Sequence, residues 1–197
     1  MAGSTAMTIS TTLLLFLVLP AAISAVPADL NKDFIDTNCK TTLYPDICYT
    51  SIIAYAGDIE VSPAKLARVA VDHSFNSIRS IALYVLNNSG KFNNNNDKTT
   101  VGVLKDCNKN FEDAVLQVQR SNREIRYLDF SVSKEALLFK ISNVQTWLSA
   151  ALTNQETCAT ELANIKSELH DKVVNSKKFV SIALALVNSY AKAAQAN

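Results

Sequence analysis

The sequence predicts an all-α domain, an up-down-up-down four-helix bundle preceded by an N-terminal helical hairpin and held by two disulfides. Three observations carry that expectation. Only four Gly and four Pro occur in 197 residues, too few for the turns of a sandwich or barrel. Apolar residues recur at helical spacing in four successive stretches. Four cysteines, Cys39, Cys48, Cys107 and Cys158, make an even set in a chain that opens on an apolar leader, the combination expected where thiols are oxidised.

The leader comes first. Residues 1–25 carry no charged side chain, and Thr12 to Leu19 is an unbroken apolar run apart from its first residue. Pro20 and the small-residue cluster ending at Ala25 follow. A bilayer span needs about 20 apolar residues, so the stretch reads as a secretory signal cut near Ala25. Residues 26–197 then form the expected mature domain, with the hairpin at about 30–60 and the bundle at about 62–195. All 19 Lys+Arg and all 18 Asp+Glu lie in that part, so its net charge stays at +1. Such balance excludes the basic footprint of a nucleic-acid binder and gives no attraction to anionic membranes after signal cleavage.

The hairpin is read from Asp33 to Asn38 running into Cys39. The turn Thr41-Thr42-Leu43-Tyr44-Pro45-Asp46 follows, and Cys48 opens the next helical run. Pro45 breaks any single helix here. Local proximity pairs Cys39 with Cys48 and leaves Cys107 with Cys158 as a long-range staple. Zinc is not expected, because no Cys-x-x-Cys pair occurs and neither His73 nor His170 neighbours a cysteine.

Ser62-Pro63 supplies an N-cap and a proline at the first helical position. Leu66, Val69, Ala70, Ser74, Ile78, Ile81 and Val85 then lie on one face, with His73 at its border. Asn87 to Asp97 reads as an exposed loop, and Asn87-Asn88-Ser89 is the single N-glycosylation triplet. The second bundle helix is expected from Thr99 or Thr100, its face formed by Val101, Leu104, Cys107, Phe111, Ala114 and Val118. Ser121 to Ser131 reads as a charged turn. Ser131 or Ser133 caps the third helix, whose face is Leu137, Ile141, Val144, Trp147, Leu148 and Ala151. Cys158 lies on this helix or past a kink at Thr153-Asn154. The fourth helix is expected from about Asp171 to Tyr190, so that each helix has some 20 residues.

No arrangement argues for catalysis, and no cofactor or metal is called for. Two histidines without a nucleophile elbow do not make a triad. Glu112-Asp113, and Glu156 with Glu161, are carboxylate pairs of the kind that charged helix faces produce routinely. One surface is unusual. Ser142, Gln145, Thr146, Ser149 and Thr153 form a short, uncharged stripe opposite the Ile141–Leu148 face. Such side chains lose little entropy when frozen against a partner, which makes them candidate contact residues.

Phe34-Ile35 through Cys39, Thr42-Leu43-Tyr44-Pro45-Asp46-Ile47-Cys48 and Asp106-Cys107 resemble plant invertase and pectin methylesterase inhibitors. So do Ser142 through Thr153, Thr157-Cys158, and Ala183-Leu184-Ala185-Leu186-Val187-Asn188. The resemblance covers nearly the whole mature chain in the family's order. It implies a hairpin on a four-helix bundle with the two disulfides above. It also implies a secreted, non-enzymatic inhibitor in the cell wall or apoplast, binding pectin methylesterase reversibly and one-to-one by covering its cleft. Helices including the one with the polar stripe would make the contact. Invertase inhibitors carry a Pro-Lys-Phe motif before the third bundle helix, whereas this chain has Arg126-Tyr127-Leu128-Asp129-Phe130-Ser131; Lys178-Phe179 falls in the wrong helix. Esterase pro-regions resemble the Trp147 segment too, but a catalytic domain would follow them and this sequence ends at Asn197. The pectin methylesterase branch is therefore expected. Its alternatives are an inhibitor of acid invertase and a non-inhibitory, allergen-like bundle. Where the family often has Leu-Asp-Gly-Phe after the fourth cysteine, Ala159-Thr160-Glu161-Leu162 stands here, so the helix is expected to run on.

Overall fold

The computed structural model describes residues 28–93, 98–128, 133–163 and 168–196. The expected leader and its cleavage point lie outside them, as do Asn94 to Asp97 and Ser131. Among the described residues every regular element is helical.

Helices α1 (Ala28–Cys39) and α2 (Pro45–Ile52) form the hairpin. The end of α1 is closed by its own turn: the Thr42 backbone N–H and its Oγ1 both donate to the Cys39 carbonyl, at 2.9 and 2.8 Å. Pro45 begins α2, where its missing N–H costs nothing. Cys39 and Cys48 are bonded to each other, with Cα atoms 5.5 Å apart. A 3-10 turn (Ile53–Tyr55) and the single turn α3 (Ala56–Ile59) lead to the bundle. Between them and the bundle, Glu60 and Val61 both adopt left-handed backbone angles, φ 51° and 56°. Val61 is β-branched, so this conformation is strained.

The bundle consists of α4 (Pro63–Asn93), α5 (Lys98–Arg126), α6 (Lys134–Leu162) and α7 (Glu168–Ala196). Ser62 caps α4 by accepting the Lys65 N–H at 3.3 Å, and Ser133 caps α6 by accepting from Ala136 at 3.2 Å. Each helix packs chiefly on its neighbours in chain order, and α7 closes the ring on α4. Cross-links fix the directions. Cys107, early in α5, is bonded to Cys158, late in α6. Lys134 at the start of α6 donates to the Gln195 carbonyl near the end of α7, 2.7 Å away. Tyr84, late in α4, donates to Glu168 at the start of α7, 3.1 Å away. The bundle is therefore up-down-up-down.

The interior holds most of each expected face, whereas Val69, Val101, Leu137 and Trp147 are only half-buried. Ile78, Phe111, Ile141, Val144 and Leu148 are each 1% exposed or less, and Val180 and Ala183 of α7 are fully buried beside them in the core. Burying each large aliphatic or aromatic side chain contributes about 1.5–3 kcal/mol. The same interior carries polar groups tied across seams. Gln155 Nε2 donates to Ser176 Oγ at 2.9 Å, and Asn122 Nδ2 donates to Asp72 at 2.7 Å.

Several expected boundaries move. The helices have 31, 29, 29 and 29 residues, longer than the expected 20. Asn87 to Asn93 is not a loop; α4 continues through it. Ser121 to Arg126 is not a turn either, because α5 buries Ser121, Asn122 and Ile125 there. Ser121 Oγ donates to the Gln117 carbonyl at 3.0 Å. With that bond and the Asp72 contact of Asn122, these polar side chains sit inside a helix without loss. Cys158 lies on the continuous α6, which runs on through Thr160 and Glu161 to Leu162.

Candidate functional site

The sequence pattern singles out the outer face of α6, and packing explains its orientation. Ile141, Val144, Leu148, Ala151 and Cys158 point inward and are fully buried. Spaced four, three and four residues apart on a different face, Ser142, Thr146, Ser149 and Thr153 are all exposed. They are not a helix–helix seam. Gln145 differs: it is half-buried, and its Nε2 donates to Asn188 Oδ1 of α7 at 2.7 Å. It borders the row and joins it to α7.

The hydroxyls of the row are partly committed. Thr146 Oγ1 donates to the Ser142 carbonyl at 2.9 Å, and Thr153 Oγ1 donates to the Ser149 carbonyl at 3.1 Å. Thr157 repeats the pattern on Thr153, at 3.1 Å. Each bond spends the hydroxyl proton on the helix and leaves oxygen lone pairs outward. The threonines of the face thus present fixed acceptors. Glu156, in ion pair with Lys177 of α7, marks its lower edge.

Sequence reasoning missed one member. Phe139 is 68% exposed and stands one turn before Ser142 on the same row. Its signal was present: it is out of register with Leu137 and Ile141, so the apolar face does not absorb it. Beneath the row, the Cys107–Cys158 bond, with Cα atoms 4.6 Å apart, fastens α6 to α5. Asn154 Nδ2 adds a bond to Gln117 Oε1 at 3.1 Å.

The remaining candidates are dispersed. Asn87 is exposed on α4. Glu112 and Asp113 are exposed on α5, and Glu161 is half-buried with Oε2 unpartnered. His73 packs edge-on to Phe179, and burial pushes its pKa below the ordinary value, with Asp72 pulling the other way. Among the described residues no group of three metal-ligating side chains comes together. No described helix is long and apolar enough to cross a membrane.

The plant invertase/pectin methylesterase inhibitor family matches residues 33–186, a span that runs from α1 into α7. The chain belongs to this family. Among its relatives, pectinesterase inhibitor 11 of Arabidopsis thaliana is 33% identical over 195 residues, covering 92% of this chain and 96% of that protein. A 21 kDa protein of Daucus carota is 35% identical over 181 residues, covering 89% and 91%. The crystal structure of a mutant form of a pectin methylesterase inhibitor from Arabidopsis superposes with a TM-score of 0.62 at 16% identity, covering 78% of this chain and 95% of that one. That likeness establishes the shared helical-bundle fold. As a member of an inhibitor family, the chain is not an enzyme.

Proposed function

We propose that this family member is a secreted inhibitor of pectin methylesterase. In this reading it acts in the cell wall, and residues 1–25 are its export signal. It covers the enzyme's active cleft reversibly, one molecule to one, and the outer face of α6 lies along the cleft. The observation that carries the reading is the exposed, uncharged row Ser142, Thr146, Ser149 and Thr153 on a helix whose opposite face is buried in the core.

Physical chemistry supports that face as a docking surface. Short hydroxyl side chains lose little rotamer freedom on contact, unlike the Lys and Glu of an ordinary helix exterior. With their protons bonded to the helix, the threonine oxygens suit arginine, lysine or amide donors on a partner. Phe139 supplies the kind of aromatic anchor on which interfaces concentrate their energy. The α5–α6 disulfide holds the face in one shape before binding, which lowers the ordering cost.

Titration of oxidised protein into a plant pectin methylesterase assay tests the proposal. Stoichiometric loss of demethylation, restored on separating the proteins, is expected. A parallel titration against acid invertase is expected to leave activity unchanged, because the Pro-Lys-Phe motif is missing. Inhibition of invertase alone would overturn the assignment.

A further inference from the structure

The seam between α4 and α5 carries a chemistry different from that of the α6 row. An open groove of about 270 Å³ is lined by Phe75 of α4 and by Gln119, Asn122, Arg123, Arg126 and Tyr127 at the end of α5. Its two arginines are unequal. Arg126 donates through one Nη2 to Asp72, 2.7 Å away, and a guanidinium has five N–H donors to offer. Arg123 is exposed and has no ion-pair partner among the described residues. Cations in the last turn of a helix favour its negative end, which accounts for their presence. It does not account for two aromatic rings flanking them, Phe75 half-buried and Tyr127 56% exposed.

We propose that this groove binds a carboxylated sugar ring, a uronate unit of an acidic oligosaccharide. The carboxylate meets the Arg123 and Arg126 forks, whose planar geometry matches it. The apolar face of the ring lies against Tyr127 or Phe75, and the Gln119 amide reaches its hydroxyls. Asp58 and Asp72 line a second cleft of about 450 Å³ that shares Arg126, also holds Arg68 and His73, and extends to Tyr55. There the two carboxylates offset Arg68 and Arg126, whereas no carboxylate lines the groove at Arg123, so the acid group sits at the Arg123 side and a further sugar runs toward Tyr55. The groove is lined by α4 and α5 side chains and by Tyr127, none of them in the α6 row, and the proposal does not rest on the inhibitor reading.

The test is a titration of the full oxidised protein with trigalacturonate, followed by NMR. Its methyl ester, maltotriose and inorganic phosphate serve as separate arms. Trigalacturonate is expected to shift amide signals of residues 119–127 and of Phe75, with the ester binding at least about tenfold more weakly. Arg123→Ala and Tyr127→Ala are each expected to weaken binding, while esterase inhibition by Arg123→Ala stays at the wild-type level. Equal binding of ester or maltotriose would overturn the proposal. So would phosphate acting as strongly on the same residues, since that makes the groove a bare anion site. Silence at millimolar trigalacturonate, or indifference to Arg123→Ala, would also overturn it.

Discussion

His73 stands edge-on to Phe179 across the α4–α7 seam, with ring centroids 4.7 Å apart and planes at 70°. Burial disfavours its charged form and holds its pKa below 6.5, although Asp72 opposes the shift. The unfolded chain therefore binds a proton more readily than the folded one. Stability is fully present above the unfolded value and is lost as pH falls through and below 6.5. His73→Leu is expected to flatten this part of the pH dependence, read from melting temperatures on either side of that value. An equally steep profile in the variant would remove His73 as the cause.

Gln155 and Ser176 share a bond in a fully buried site, and Gln155 Oε1 has no partner there. Ser176→Ala strands the amide as well. It is expected to cost about 1–3 kcal/mol in urea unfolding. Gln155→Leu combined with Ser176→Ala should recover most of that loss, because no polar group then remains unpaired.

The two disulfides differ in the chain they close, 51 residues for Cys107–Cys158 and 9 for Cys39–Cys48. Converting the first pair to serine is expected to remove about 4 kcal/mol, and the second about 2.5 kcal/mol, on the chain-entropy account. Denaturant midpoints of the two double variants check the order.

Val61, at φ 56°, holds a conformation that glycine adopts freely. Val61→Gly is expected to stabilise the protein by about 1 kcal/mol, despite the greater freedom glycine has when unfolded. An unchanged or lower melting temperature would mean that the strain is offset by contacts of the valine.

Much of this architecture was legible because it repeats locally. The α4 face from Leu66 to Val85 and the α6 face from Ile141 to Ala151 announce their burial through spacing alone. The errors arise where a distant partner decides. Ser121 and Asn122 read as turn formers, since nothing near them in sequence reveals that Asp72 waits fifty residues earlier. Asn87 to Asn93 has poor intrinsic helix propensity, yet it continues a helix of which three turns or more are already packed. At the candidate site, the period of Ser142, Thr146, Ser149 and Thr153 was readable, but their exposure was not. Gln145 looked like one of them until α7 supplied Asn188. Phe139 was passed over because apolar residues are habitually assigned to the core.

The central claim is that the outer face of α6 meets the esterase. Thr146→Arg with Ser149→Arg places two long charged side chains on that face without touching the core. Measured together, inhibition of pectin methylesterase and melting temperature give the most direct test. The account predicts that inhibition falls by at least about a hundredfold while the melting temperature stays within a degree or two of the unaltered protein. Full inhibition by the doubly substituted protein would contradict it.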